Sequence, residues 1–185
     1  MQLTLIGVAG PAGAGKDSIA SWLVQSQRFT RVGFADPIKD ALELFEVPTT
    51  YLYQKKEAPI PGLEGTTARK MMQTLGTEWG RMQIHPDLWV RAMAQRVERL
   101  QADGVYRLVI PDVRFENEAA WVRSVGALWH VNRPDTSPVR AHVSEQGISP
   151  LPGEPLFRND GDLDDLFDRL DLWIAGHPAL AERLR

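Results

Sequence analysis

Near the start of the chain, Gly10-Pro11-Ala12-Gly13-Ala14-Gly15-Lys16 fits the pattern G-x-x-x-x-G-K in full. That spacing suits one kind of chemistry. A polyphosphate must meet several backbone N–H groups at once, and glycines let the chain curl around it without Cβ clashes. A helix starting at Lys16 would point the positive end of its dipole at the anion. The Lys16 ammonium can then reach the outer phosphates. Gly10, Ala12, Gly13, Ala14, Gly15, Lys16, Asp17 and Ser18 are the candidate phosphate contacts. The plain alternative is an ordinary glycine-rich turn. A dinucleotide loop fits less well, because the last glycine of G-x-G-x-x-G would fall at Ser18. The residue after the lysine, usually Ser or Thr, is Asp17. Its carboxylate either binds Mg²⁺, directly or through water, or is a first-turn acid favoured by the helix dipole.

Further along, the apolar run Leu108-Val109-Ile110-Pro111 ends in Asp112. An acid at the carboxyl end of a parallel strand lies where open α/β sheets bind ligands, so Asp112 can hold a metal-bound water or orient an acceptor; otherwise it caps the next helix. Arg114 has a planar fork suited to phosphate, or pairs with Glu116 or Glu118 at the surface. Arg69, Gln73, Thr77 and Arg81 recur every four residues. On a helix they form one polar stripe, which either grips a phosphate and reads a base edge or is a solvated face. Asp36 and Lys39 follow the second strand at the ligand edge, where Asp36 accepts from a sugar or base or serves as a cap. Trp89 either stacks on a base or belongs to the core. Arg133 and Arg140 are candidates to neutralise charge during phosphoryl transfer, or are solvated loop charges. His142 with Glu145 makes a poor metal site, since nothing nearby completes a ligand set. Asn159-Asp160-Gly161 contacts the adenine of ATP or forms a turn and helix cap.

Strands and helices must place these groups. The pattern predicts strands at 3–9, 30–35, 106–111, 127–131 and 155–158. Helices are expected at about 16–25, 36–45, 68–81, 87–101 and 116–124, with a last one carrying Leu163, Leu166, Phe167, Leu170, Trp173 and Ile174. In the 68–81 helix, Met71, Leu75, Trp79 and Met82 form the apolar stripe. Residues 46–67 read as an irregular excursion with a short helix, and 132–153 as a loop rich in Pro, Ser and Gly. Alternating strands and helices imply an α/β architecture with a parallel sheet.

The chain has 185 residues, enough for one domain with an ordinary core. Hydrophobic residues make up 43% and charged residues 24%, values normal for a globular protein. Net charge is −3, which argues against a general affinity for nucleic acid polymers or membranes. There is no cysteine, so disulfides and thiolate metal sites are excluded. The N-terminus lacks a basic leader and no apolar run approaches the ~20 residues of a membrane helix, so a cytoplasmic protein is expected.

Together these segments resemble the deoxynucleoside monophosphate kinases found mainly in bacteriophages. The matching pieces are Gly15-Lys16-Asp17, Phe34-Ala35-Asp36-Pro37-Ile38-Lys39, and Arg69 with Leu75-Gly76-Thr77-Glu78. Asp87-Leu88-Trp89, Pro111-Asp112-Val113-Arg114-Phe115 with Glu118, and Asn159-Asp160-Gly161 match as well. Asp17 after the lysine is usual in that family. The resemblance implies a three-layer P-loop kinase fold in a single domain, residues 1–185. It implies a five-stranded parallel sheet, an acceptor-binding insertion at about 46–101 and a lid at about 133–153. It further implies ATP and Mg²⁺, with Asp17 and Asp112 as metal candidates and a deoxynucleoside monophosphate as acceptor. Lys16 would bind the transferring phosphate, Asp112 would serve metal or acceptor, and Arg69 and Arg114 would hold the acceptor phosphate, with Gln73 and Trp89 near its base. Partners would be small nucleotides, and a homodimer is compatible with this reading. Two other functions fit the phosphate loop: a kinase of another small acceptor such as dephospho-coenzyme A, and a regulatory P-loop ATPase without acceptor.

Overall fold

Six successive residues, Thr4–Ala9, are all buried and form β1. Burial on both faces is what an apolar run without alternation requires of a central parallel strand. The computed structural model describes residues 2–134 and 147–184. Strand β1 is followed by α1 (Lys16–Gln27), β2 (Thr30–Arg31), α2 (Asp36–Leu44), α3 (Thr49–Tyr53), β3 (Pro59–Ile60), β4 (Leu63–Thr67) and α4 (Ala68–Gln73). A π-helical segment (Thr74–Ile84) continues α4; then come α5 (Leu88–Ala102), β5 (Arg107–Val113), α6 (Glu116–Val125), β6 (Ala127–Asn132), β7 (Leu156–Arg158), α7 (Leu163–Ala175) and α8 (Pro178–Arg183). The chain divides into two compact units, Met1–Val32 with Arg99–Arg185, and Gly33–Glu98. The second starts earlier than the insertion expected at about 46.

In the first unit a five-stranded sheet has the order β2-β5-β1-β6-β7. All four pairings are parallel, with Ile6 opposite Val109 on one side and Ala127 on the other. The order changes direction at β1, so the crevice beyond its carboxyl end is the place where such sheets bind ligands. All five expected strands are present. The second is shorter than its apolar pattern predicts, ending at Arg31. Between β1 and β5 the register slips: Gly7 faces Ile110 but Ala9 faces Val113. The extra residue lies at Pro111-Asp112, and proline, having no N–H to give the ladder, is a natural place for a bulge.

The core of this unit joins Ile6, Val8, Ile19, Leu23, Trp129, Phe157, Leu166 and Leu170. Helix α7 supplies the last two from its expected stripe, each stabilising by roughly 2 kcal/mol on burial. Asp162 and Asp165 cap its start reciprocally, at 3.0 and 3.2 Å.

The second unit has its own core of Ile38, Leu42, Val47, Leu52, Ile60, Ala68 and Trp89. Within the stretch expected to be irregular lies an antiparallel hairpin, β3 with β4. Its turn is Pro61-Gly62, with Gly62 at φ 82°, the positive φ that the third residue of a type II turn demands. The helix expected at 68–81 forms, but its second half is wound as a π-helix, as the His85 N–H bond to Gly80 O, five residues back, illustrates. Its inward face also differs from expectation. Gly76, Thr77 and Gly80 are buried, whereas Trp79 is 43% and Met82 68% exposed. A Cβ on Gly76 would come within 2.8 Å of Ile38 Cδ1, and one on Gly80 within 2.7 Å of the Trp89 ring. The glycines let two large side chains press against the helix backbone. Of the apolar stripe, Met71 and Leu75 are half-buried against this core, and together with Trp79 they also line an open groove of about 350 Å³ with Leu42, Phe45, Thr66, Lys70 and Thr74.

Candidate active site

The loop between β1 and α1 needs its glycines. Gly13 and Gly15 sit at φ 75° and 110°, in the region side chains avoid. Gly10, at φ 153°, lies so close to β6 that a Cβ would meet Val131 O at 2.2 Å. Ala14 N–H donates back to Pro11 O at 3.2 Å, and Ile19 N–H to Gly15 O at 3.0 Å opens helix α1. The first N–H groups of α1 therefore face the loop, with its positive dipole end. Lys16 Nζ reaches Gly10 O and Pro11 O, each at 2.7 Å, so its ammonium lies over the curled backbone. Asn159 braces the loop from below, donating from Nδ2 to Ala14 O at 2.9 Å.

One recess is lined by Gly10, Pro11, Ala12, Lys16, Val113, Arg114 and Gly147. The end of β5 thus delivers Arg114 to the phosphate loop beside Lys16, giving two cations along one concave backbone. The bland reading of Arg114, pairing with Glu116 or Glu118, is not what occurs. Glu116 meets Arg123 at 3.5 Å. Glu118, 1% exposed, accepts the backbone N–H groups of Arg114 and Phe115 at 2.8 and 3.1 Å. Glu118 therefore caps α6. Asp112 lies half-buried at the β5 bulge, a feature that re-aims side chains at sheet edges. Asp17 is exposed in the first turn of α1 and pairs with Arg31. Ser18 is half-buried one residue on.

No group of three or more potential metal-ligating side chains occurs among the described residues. Mg²⁺ is commonly held by one or two carboxylates with water and phosphate oxygens completing the shell. The hard oxygens of Asp112 and Asp17 fit that chemistry. Arg133 is exposed just after β6. Arg140, and with it His142 and Glu145, lies outside the described residues, as does most of the lid expected at 133–153.

In the second unit, Asp36 opens α2. Its Oδ2 accepts Gly33 N–H at 2.7 Å and its Oδ1 accepts from Lys39 Nζ at 3.1 Å. Lys39 also stands 4.4 Å over the Tyr53 ring. Arg96, which sequence reasoning missed, reaches Asp36 at 3.4 Å and Asp40 at 2.7 Å. A pattern of Arg96 four residues before Leu100 on α5 carries no signal of this partnership; it exists only in the folded unit. Arg69 is exposed and pairs with Glu57. Gln73 is half-buried at the end of α4, and Thr77 is 8% exposed. The polar stripe is therefore not a fully solvated face. Of the two readings of Trp89, the structure has the core one: it is 6% exposed, and its indole N–H is spent on Gly76 O at 2.7 Å.

A parallel sheet whose first strand runs through a glycine-built phosphate cradle into a helix, with a lysine and an arginine over the cradle, defines a P-loop kinase. Solved structures agree on the fold. The protein TT1252 from Thermus thermophilus superposes with a TM-score of 0.54 at 17% identity, covering 96% of this chain and 99% of that one. An unliganded sugar kinase of Janibacter sp. HTCC2649 gives 0.51 at 16%, covering 96% and 98%. Sequence comparison is more specific. The family model for deoxynucleotide monophosphate kinase matches residues 53–170. A protein of Acanthamoeba polyphaga mimivirus provisionally named deoxynucleotide monophosphate kinase is 34% identical over 156 residues, 77% of this chain and 81% of that one. The deoxynucleotide monophosphate kinase of Enterobacteria phage T4 is 30% identical over 105 residues, 56% of this chain and 44% of the phage protein. The chain belongs to the deoxynucleotide monophosphate kinase family.

Proposed function

We propose that the chain transfers the terminal phosphoryl group of ATP to a deoxynucleoside monophosphate, using residues 10–18 as donor cradle. The observation that carries this is Lys16 and Arg114 lining one recess with the curled Gly10–Ala12 backbone. Family membership supplies the acceptor class, and nothing favours dephospho-coenzyme A or an acceptor-free ATPase. In the transfer, an acceptor phosphate oxygen forms a bond to the γ-phosphorus while the bond to the β–γ bridging oxygen breaks, and ADP leaves with that electron pair. Lys16 neutralises charge spreading over the equatorial oxygens, and Arg114 beside it holds the acceptor phosphate. Loop N–H groups hold the donor in line. Bound Mg²⁺ would supply further charge neutralisation across the phosphates, held through Asp112 and, by itself or through water, Asp17.

On the acceptor side, Arg69 grips the monophosphate and Gln73 reads its base edge. Asp36 and Lys39, held by Arg96 and Tyr53, present a fixed pair for the sugar. Arg133 and Arg140 serve the transferring group, and Asn159 serves the donor. The partners are small nucleotides. Among the described residues no helix is long and apolar enough to cross a membrane; the enzyme acts in the cytoplasm, that of a host if the chain is phage-encoded.

The test is an acceptor screen with labelled ATP and Mg²⁺. Turnover with dGMP, dTMP, dCMP or dAMP, and none with dephospho-coenzyme A, is expected. ATP hydrolysis indifferent to every monophosphate would refute the proposal.

A further inference from the structure

A peptide group is flat, and in its trans form the carbonyl and the following N–H point in opposite directions, so holding one aims the other. The described chain contains no cis peptide. The Ala14–Gly15 peptide is held through its carbonyl, which accepts Asn159 Nδ2 at 2.9 Å from 145 residues away in sequence. Asn159 is itself fixed. It is 4% exposed, and its backbone N–H donates to Asn132 O at 2.8 Å, tying together the ends of β6 and β7. The loop has no slack on this side: a Cβ on Gly15 would lie 2.6 Å from Asn159 Nδ2. On the other side Gly10 rests against Val131 O.

We propose that Asn159 is a positioning residue for the phosphate loop. It draws the Ala14 carbonyl toward the sheet and thereby turns the Gly15 N–H into the cradle, where a triphosphate accepts it. The expectation that Asn159 touches adenine places its amide elsewhere; here the amide is enclosed between the loop and β7. A side chain of equal size without an N–H would fill the space but leave the Ala14 carbonyl unpartnered and that peptide free to turn. A carboxylate would add repulsion toward the carbonyl and the anionic ligand. The inference rests on residues 10–18 binding phosphates.

The test uses the full chain with Asn159→Asp and Asn159→Ala, and Leu170→Ala as a control that weakens the same core. All are assayed well below their unfolding temperatures. The KM for MgATP, the KM for the deoxynucleoside monophosphate, and the inhibition constant of magnesium tripolyphosphate against MgATP are measured. For Asn159→Asp, the MgATP KM and the tripolyphosphate constant should both rise roughly 10-fold or more, by the same factor, while the acceptor KM stays within about twofold. Asn159→Ala should do the same to a smaller degree, and Leu170→Ala should lower thermal stability without moving either constant. A raised MgATP KM with an unmoved tripolyphosphate constant would mean that Asn159 meets the base, and overturn the proposal. Unmoved constants in both Asn159 variants would overturn it too, showing a purely structural role. Failure of the unaltered protein to bind either phosphate ligand would instead strike the phosphate-site reading beneath it.

Discussion

Glu154 offers a quantitative check on how the return to β7 is anchored. Its Oε1 accepts Arg123 Nε at 2.6 Å. Its Oε2 accepts Arg123 Nη2 at 3.1 Å and Leu151 N–H at 2.8 Å, and meets His130 Nε2 at 2.8 Å. Arg123 also donates to Ser149 O at 3.2 Å, so one cluster fastens the segment that leads from Gly147, beside the phosphate loop, to β7. The Arg123 guanidinium lowers the Glu154 carboxyl from its ordinary 4.5 to about 2, against the opposing effect of burial and with help from the Leu151 N–H and the His130 ring. Because the folded value lies below the unfolded one, this stabilisation is complete above about pH 4.5 and is lost as pH falls toward 2. The gap of 4.5 minus 2 corresponds to ~3 kcal/mol at about 1.36 kcal/mol per unit, and screening by nearby water leaves ~1.5 kcal/mol as the working figure. Glutamine keeps the shape but removes the charge. Urea unfolding of Glu154→Gln should therefore show a loss of ~1.5 kcal/mol near pH 7 that shrinks by more than half toward pH 3, where the unfolded chain's carboxyl is protonated while the folded one is still largely ionised. A difference that stays constant across that range, or none at neutral pH, would refute the reasoning.

Three further outcomes are expected. Lys16→Ala should lower kcat at least ~100-fold with unchanged circular dichroism and unfolding midpoint, since the ammonium acts on transferring charge rather than on the fold; normal turnover would remove the donor site. Arg69→Ala should raise the acceptor KM roughly 10-fold, the worth of a charged hydrogen bond, while the MgATP KM holds, and an unchanged acceptor KM would strip Arg69 of its role. Gly80→Ala should destabilise by about 1–2 kcal/mol despite the better helix propensity of alanine, because the new methyl falls 2.7 Å from the Trp89 ring. Gly176→Ala, whose Cβ would make ordinary contacts at 3.4 Å or more, is the neutral control. Equal effects on thermal midpoint would show that packing against Trp89 does not decide the matter.

The phosphate loop was legible because its requirements are local: φ values open to glycine, a strand before, a helix after. The central strands β5, β1 and β6 were legible because a parallel sheet buried on both faces leaves continuous apolar runs. What could not be read depends on partners distant in sequence. Nothing around Asn159 announces that its amide will be enclosed against Ala14, nor does Gly147 announce a place beside Lys16. The hairpin β3–β4 did carry a signal, Pro61-Gly62, masked by the surrounding prolines. The second strand stopped early because the Asp36 carboxylate takes the Gly33 N–H and turns the chain into α2.

The π-helical segment shows why periodicity misled at the acceptor side. Four apolar residues at spacings of four, four and three, Met71, Leu75, Trp79 and Met82, predict a buried stripe when the inward face is set by hydrophobicity alone. Here it is set by how closely a neighbour can approach. Gly76 and Gly80 allow Ile38 and Trp89 to lie against the helix backbone, and the Gly76 carbonyl receives the indole N–H. That arrangement turns Gly76, Thr77 and Gly80 inward; Met71 and Leu75 keep partial contact with the core, while Trp79 and Met82 are left exposed. The same packing accounts for two placements at once. Trp89 is in the core because the glycines admit it, and the polar stripe sinks from exposed Arg69 through half-buried Gln73 to buried Thr77 as it nears the glycine face. Long π-helices are rare and gather at functional sites, since the wider turn costs stability that ordinary packing does not demand. A segment wound this way, bordered by the proposed acceptor groups Arg69 and Gln73, has been shaped by something other than the hydrophobic core.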